Sequence, residues 1–148
     1  MNIKNYTSSV PADRSILQIE NILIEMGARN IAKEYDEFGK VQSISFSIKN
    51  GEGVVPFKLP AKKEPIKKLF LAGHGRRRHT SDQVKGYEAQ AERTAWKNVK
   101  EWVELQATMI KLQQVEFMEV FMPYIFSFEH QKTLFERMKG DNFKQLTA

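Results

Sequence analysis

Cysteine is absent from this sequence, which excludes disulfide bridges, thiolate metal centres and a cysteine nucleophile. Histidine is scarce: His74 and His79 lie five residues apart with no Cys partner and no HExxH pattern. Zinc takes three or four ligands at recognisable spacing, so neither a metal nor any other cofactor is expected. No apolar run approaches the roughly 20 residues needed to span a bilayer. The opening segment MNIKNYTSSVPADRS has no apolar core of the kind that signal peptides carry. A cytoplasmic protein with no membrane partner is expected. Catalytic patterns are missing as well. There is no GxSxG, Gly73 and Gly75 have no GxxxxGK[ST] around them, and the strand lysine of Ser47-Ile48-Lys49 has no neighbouring carboxylate for a metal-dependent nuclease. The expectation is a protein that is not an enzyme.

What is present is enough apolar bulk for a core. Ten Phe and six Met lie in a chain of 148 residues, a length that buries about 68–70% of the surface its unfolded form exposes. One domain over residues 1–140 is expected, followed by a tail at 141–148. Pro11 stands at a helix start, and Ile16, Ile19, Leu23 and Met26 recur at helical spacing before Gly27 stops the run. Ile31, Lys33 and Tyr35 alternate up to an Asp36-Glu37-Phe38-Gly39 turn. Ile44, Phe46 and Ile48 alternate with serines in the next strand, and Val55, Phe57 and Leu59 follow the Asn50-Gly51 loop. Pro56 cannot donate to a ladder and places that third strand at an edge. Tyr6 to Val10 is the candidate for a fourth strand.

From Lys62 onward the pattern is helical. A short helix opens at Glu64-Pro65 with Ile66, Leu69 and Phe70, and a basic loop occupies 73–80. Thr80 and Gln83 form a capping box at the head of the longest helix. Two stripes follow on it, Trp102, Leu105, Met109 and Leu112 beside Trp96, Val99, Val103 and Ile110, predicting burial of its C-terminal half over a wide arc. Pro123 ends or kinks the apolar run VEFMEVFMPYIF, and Thr133 with Glu136 caps a last helix. The fold class is therefore α+β: an N-terminal helix and a three- to four-stranded antiparallel meander, covered by a C-terminal layer of long helices.

The charge is concentrated. Lys62 to Arg78 reads KKEPIKKLFLAGHGRRR and holds seven basic residues against Glu64, while the flanks carry seven basic to seven acidic and nine to ten. Almost all of the net charge of +5 thus lies in one short segment, a field that attracts phosphates, anionic lipid or acidic protein. Lys62, Lys63, Lys67 and Lys68 gather toward one side of a short helix. Arg76, Arg77 and Arg78 are spaced to track a phosphate backbone, against the plain alternative of a solvated loop. Phe70, the one aromatic within the segment, has core spacing rather than that of a stacking platform.

Two further groups invite a chemical reading. Trp96, Lys100 and Trp102 share a helix and define a candidate nucleotide pocket with cation–π support. The two indoles point about 120° apart, so two core anchors are the competing and simpler account. Glu88 and Glu92 lie one turn apart, with Lys85 and Arg93 nearby to form surface ion pairs.

The segments GARNIAKEYDEFGKVQSISFSI, PFKLP, AERTAWKNVKEWVELQ, FMPYIF and KTLFE resemble, in that order, a family of small proteins of unassigned function from bacterial phages and prophages. The resemblance covers most of the chain and omits the loop from Gly73 to Thr80. It implies an intracellular protein of a mobile element acting in a bacterial host cell, in DNA replication, recombination or counter-defence, and it brings no catalytic or ligand residues. The leading expectation is an accessory protein that binds nucleic acid through the basic helix and loop. The alternatives are a counter-defence protein that seizes a host protein or an anionic nucleotide signal, and a virion or assembly subunit. Homo-oligomers are expected because a broad apolar helix face needs cover.

Overall fold

The computed structural model describes residues 2–73 and 78–148. Its elements run α1 (Ala12–Glu25), β1 (Arg29–Tyr35), β2 (Val41–Asn50), β3 (Gly53–Pro60), α2 (Glu64–Gly73), α3 (Ser81–Lys111), α4 (Phe117–Phe121), β4 (Phe126–Ser127), β5 (Lys132–Thr133) and α5 (Leu134–Gly140). The fold is α+β, with an N-terminal helix, a three-stranded antiparallel sheet and a long helix of 31 residues in the C-terminal half. The helices after α3 are short, five and seven residues. Among the described residues no helix is long and apolar enough to cross a membrane. The chain divides into two compact units, Met1–Ile22 with Ala61–Leu105 and Leu23–Pro60 with Gln106–Ala148, so the cut passes through α1 and α3.

In the first unit, Ile16 and Ile19 of α1 are buried, as their spacing predicts, together with Phe70 of α2 and Ala91, Thr94, Ala95, Trp96 and Val103 of α3. Of the two stripes expected on this helix, the one with Trp96 and Val103 is buried at those two positions, while the other is corrected: Leu105 is 57% exposed, and Leu112, just past the helix end, is 62% exposed. Small side chains, Ala91, Thr94, Ala95 and Ala107, and not leucines, make up four of the six buried positions of α3. Small side chains allow close backbone approach, and they carry almost no weight in a hydrophobic pattern built on bulk.

The fourth strand expected at Tyr6 to Val10 is not formed; residues 4–7 turn instead, with Asn5 at φ 65°. The reason lies in the polar face of α3, which takes up the backbone groups a strand would need. Thr94 Oγ1 donates to the Asn5 carbonyl at 3.0 Å, Asn98 Nδ2 to the Lys4 carbonyl at 3.0 Å, and Gln90 Nε2 and Arg93 Nε to the Ser8 carbonyl at 3.0 and 3.2 Å. The Asn5 side chain in turn donates to Asn98 Oδ1 and Glu101 Oε2 at 2.7 and 3.0 Å. With three carbonyls satisfied by one helix, short-range strand propensity is overridden.

The second unit begins where α1 ends. Gly27 adopts φ 95°, its N–H donates to the Ile24 carbonyl and that of Ala28 to the Leu23 carbonyl, the paired bonds of a Schellman ending. β1 and β2 are joined by the expected turn, in which Asp36 Oδ1 accepts from the N–H groups of Phe38 and Lys40, both at 2.9 Å. A two-residue loop with Gly51 at φ 62° joins β2 to β3 in register Asn50↔Gly53. The strand order β1-β2-β3 leaves β3 at the outside of the sheet, which suits Pro56.

The register also builds the core of this unit. Phe46 and Phe57 are direct cross-strand partners and their rings stack at 5.1 Å between centroids. Phe117 and Phe121, one turn apart on α4, stack at 4.4 Å and meet the strand pair edge-on at 5.4 to 6.4 Å. Pro123 then diverts the chain into a 3₁₀ turn at Met122–Tyr124. Thr133 and Glu136 complete the predicted capping box of α5, with the Glu136 N–H donating to Thr133 Oγ1 at 3.2 Å.

Candidate nucleic-acid interface

The described part of the basic segment, 62–73 with Arg78, belongs to the first unit. Pro65 lies in the first turn of α2, where its missing N–H costs nothing, and Glu64 complements the helix dipole. Phe70 is the buried anchor of this helix. Of its lysines Lys68 is exposed and Lys67 half-buried; Lys62, exposed, and Lys63, half-buried, lie just ahead of the helix rather than on its face.

Lys67 Nζ is ion-paired with Glu88 Oε1 of α3, which joins the two helices electrostatically. The pair has more neighbours than two. The Glu88 carboxyl is held below its ordinary value chiefly by the hydrogen bond from Lys67, then by the Lys67 charge and by the nearby Lys63 and Lys85. The Lys67 ammonium is raised in return, first by its hydrogen bond to Glu88 and then by the charges of Glu88 and Glu64. The Glu88 carboxylate thus pairs with Lys67 and feels two further ammonium groups, Lys85 on α3 and Lys63 just ahead of α2. Lys85 and Glu88 were not assigned to this patch by sequence, which paired Glu88 locally with Lys85 and Arg93. Arg93 instead donates to the Ser8 carbonyl and to Gln90 Oε1. A partner 21 residues away leaves no local trace, and only the excess of Lys on α2 could have hinted at it.

The head of α3 adjoins this patch. Thr80 and Gln83 form the predicted capping box: the Thr80 N–H donates to Gln83 Oε1 at 2.9 Å and the Gln83 N–H to Thr80 Oγ1 at 3.2 Å. The His79 ring lies edge-on to Tyr87, 5.6 Å between centroids, one position from Glu88. The neighbouring Arg78 is exposed. Arg76 and Arg77 lie outside the described residues.

The residues of the second sequence-predicted site differ in their exposure. Trp96 is 1% exposed and is a core residue, with no face to offer a ligand. Lys100 Nζ is engaged 2.8 Å from Glu104 one turn along, and Trp102 is half-buried. The account of two indoles as core anchors fits Trp96. Among the described residues no group of three or more His, Asp and Glu is placed to hold a metal ion. No family model, curated protein or solved structure matches the chain.

Glu88, Glu34 and Glu101 are carboxyls held below their ordinary value, Glu88 mainly through Lys67, Glu34 mainly through the hydrogen bond from Lys58, and Glu101 mainly through that from Asn5. A carboxyl whose folded value is depressed stabilises fully above its unfolded value and loses that contribution as pH falls through the folded one. The raised Lys67 acts at the other end, contributing fully below its unfolded value and losing it as pH rises through the folded one. Urea stability is therefore expected to stay level between about pH 6 and 9 and to decline below about pH 4.5. Glu101→Gln should shrink that acid decline; an unchanged acid limb would contradict the role assigned to the Asn5–Glu101 contact.

Proposed function

We propose that the protein is a non-enzymatic accessory protein of a phage or prophage that binds nucleic acid through the α2–α3 basic face. The observation that carries this reading is the Lys67–Glu88 pair that joins α2 to α3, with Lys63 and Lys85 near enough to act on Glu88, Lys68 exposed on α2 and Lys62 exposed just ahead of it. The setting rests on the likeness of the five sequence segments, and the mode of binding on the chemistry of the face. Lysine ammoniums are compact point charges that meet phosphates without the planar fork that reads base edges. Binding through them fixes position on the backbone and carries no sequence information. The ten residues of α2 span about 15 Å, a length over which duplex DNA presents about nine charges.

Counterion release sets the test. Five cationic groups, Lys62, Lys63, Lys68, Arg78 and Lys85, meeting phosphates while Glu88 holds Lys67 predict a slope of log affinity against log salt near ~−4.5, or about a five-hundredfold loss between 50 and 200 mM salt. Fluorescence anisotropy with a labelled duplex of random sequence measures it. Affinity independent of salt, or no binding at low salt, overturns the proposal.

A further inference from the structure

The second unit contains a cleft of about 290 Å³, and all of its lining residues belong to that unit. A water occupies about 30 Å³ of liquid, so the space equals about ten waters, at the lower edge of small-ligand pockets. We propose that this cleft binds a small amphipathic monocarboxylate with an unbranched apolar body of roughly eight carbons.

The walls set the apolar half of that ligand. Met26, Ile48, Val55, Ile110 and Met118 line the cleft, and they come from four parts of the fold: the end of α1, strands β2 and β3, the end of α3, and α4. Two thioethers make the lining adaptable, since methionine fills irregular gaps without a fixed shape. An alkyl chain matches such a wall better than a rigid ring.

Charged groups at the same cleft set the other half. Lys49 and Lys111 line it together with Glu25. Glu25 Oε2 lies 3.7 Å from Lys111 Nζ, both side chains two-thirds exposed, so one carboxylate offsets one of the two ammoniums. The lining therefore keeps an excess of one positive charge, with Lys49 on the exposed end of β2. An apolar cleft with a single excess cation favours a ligand with an apolar body and one negative head, over the matching alcohol or amine.

The test is methionine methyl ¹³C NMR of the full chain, titrated with octanoate to about 10 mM, past the weak limit expected for ten non-hydrogen atoms. The Met26 and Met118 resonances should shift saturably, while Met122 and Met138, which do not line the cleft, should not. Octanol should bind several-fold more weakly and octylammonium not measurably. Lys49→Glu, at an exposed position, should weaken octanoate several-fold with the circular dichroism unchanged, and Val55→Trp should remove the shifts by filling the cleft. The absence of saturable shifts at Met26 and Met118 overturns the site, as do equal shifts at all methionines. Octylammonium binding as tightly as octanoate overturns the assignment of a carboxylate.

Discussion

Phe57→Ala is expected to destabilise the protein by about 3–5 kcal/mol, the range found for truncating a fully buried Phe. Phe57 is 0% exposed and stands at the centre of four rings. It stacks on Phe46 at 5.1 Å and meets Phe117 and Phe121 edge-on at 5.4 and 6.4 Å. Each such pair adds about 0.5–1.5 kcal/mol beyond area burial, so one truncation removes transfer energy and three ring contacts together. Phe57 also borders the cleft, and a void opening there admits water rather than collapsing. The expected loss is a large fraction of the roughly 5–15 kcal/mol that holds a domain folded. Urea denaturation followed by circular dichroism measures it, with Phe57→Leu as the milder comparison. A loss under about 1 kcal/mol would mean that the ring cluster is not the core of its unit.

The strand half of the cluster was legible in advance because its causes are local: alternation placed Phe46 and Phe57 on the apolar faces of two strands joined at the Asn50-Gly51 loop. The Phe117–Phe121 pair was not foreseen, because its place against the strands is set by contacts between residues 60 or more apart. Helix ends were equally readable: Gly27, the Thr80–Gln83 box and the Thr133–Glu136 box all act within a few residues. Three further features escaped for the opposite reason. The N-terminal turn is held by hydrogen bonds between residues more than 80 apart in sequence. The buried face of α3 is made largely of small residues, Ala91, Thr94, Ala95 and Ala107, whose burial depends on what approaches them rather than on their own bulk. The partner of Glu88 comes from another helix. For the candidate site the lysines of α2 were found from composition and spacing, while the acid among them was visible only once α2 and α3 were placed together.

That acid makes the charge reading testable with substitutions of opposite sign. Lys62→Ala with Lys68→Ala removes two exposed cations that take no part in the Lys67–Glu88 pair. At 0.1 M salt each lost phosphate contact costs about 8-fold in affinity, so the double variant should bind duplex DNA about 60-fold more weakly, with a salt slope shallower by about 1.8. Glu88→Gln should do the reverse. It removes the one carboxylate that Lys63, Lys67 and Lys85 share and releases Lys67 to meet a phosphate. Affinity should rise, by up to about 8-fold, and the slope should steepen by up to about 0.9. The exposed ion pair that is lost contributes only about 0–1 kcal/mol to stability, so the gain in binding should come with a small loss in urea midpoint. Damage to the fold would lower both quantities together, whereas a charge effect moves them apart. Unchanged or weaker binding by Glu88→Gln would place the nucleic acid elsewhere on the protein, and unchanged binding by the lysine double variant would remove α2 from the interface.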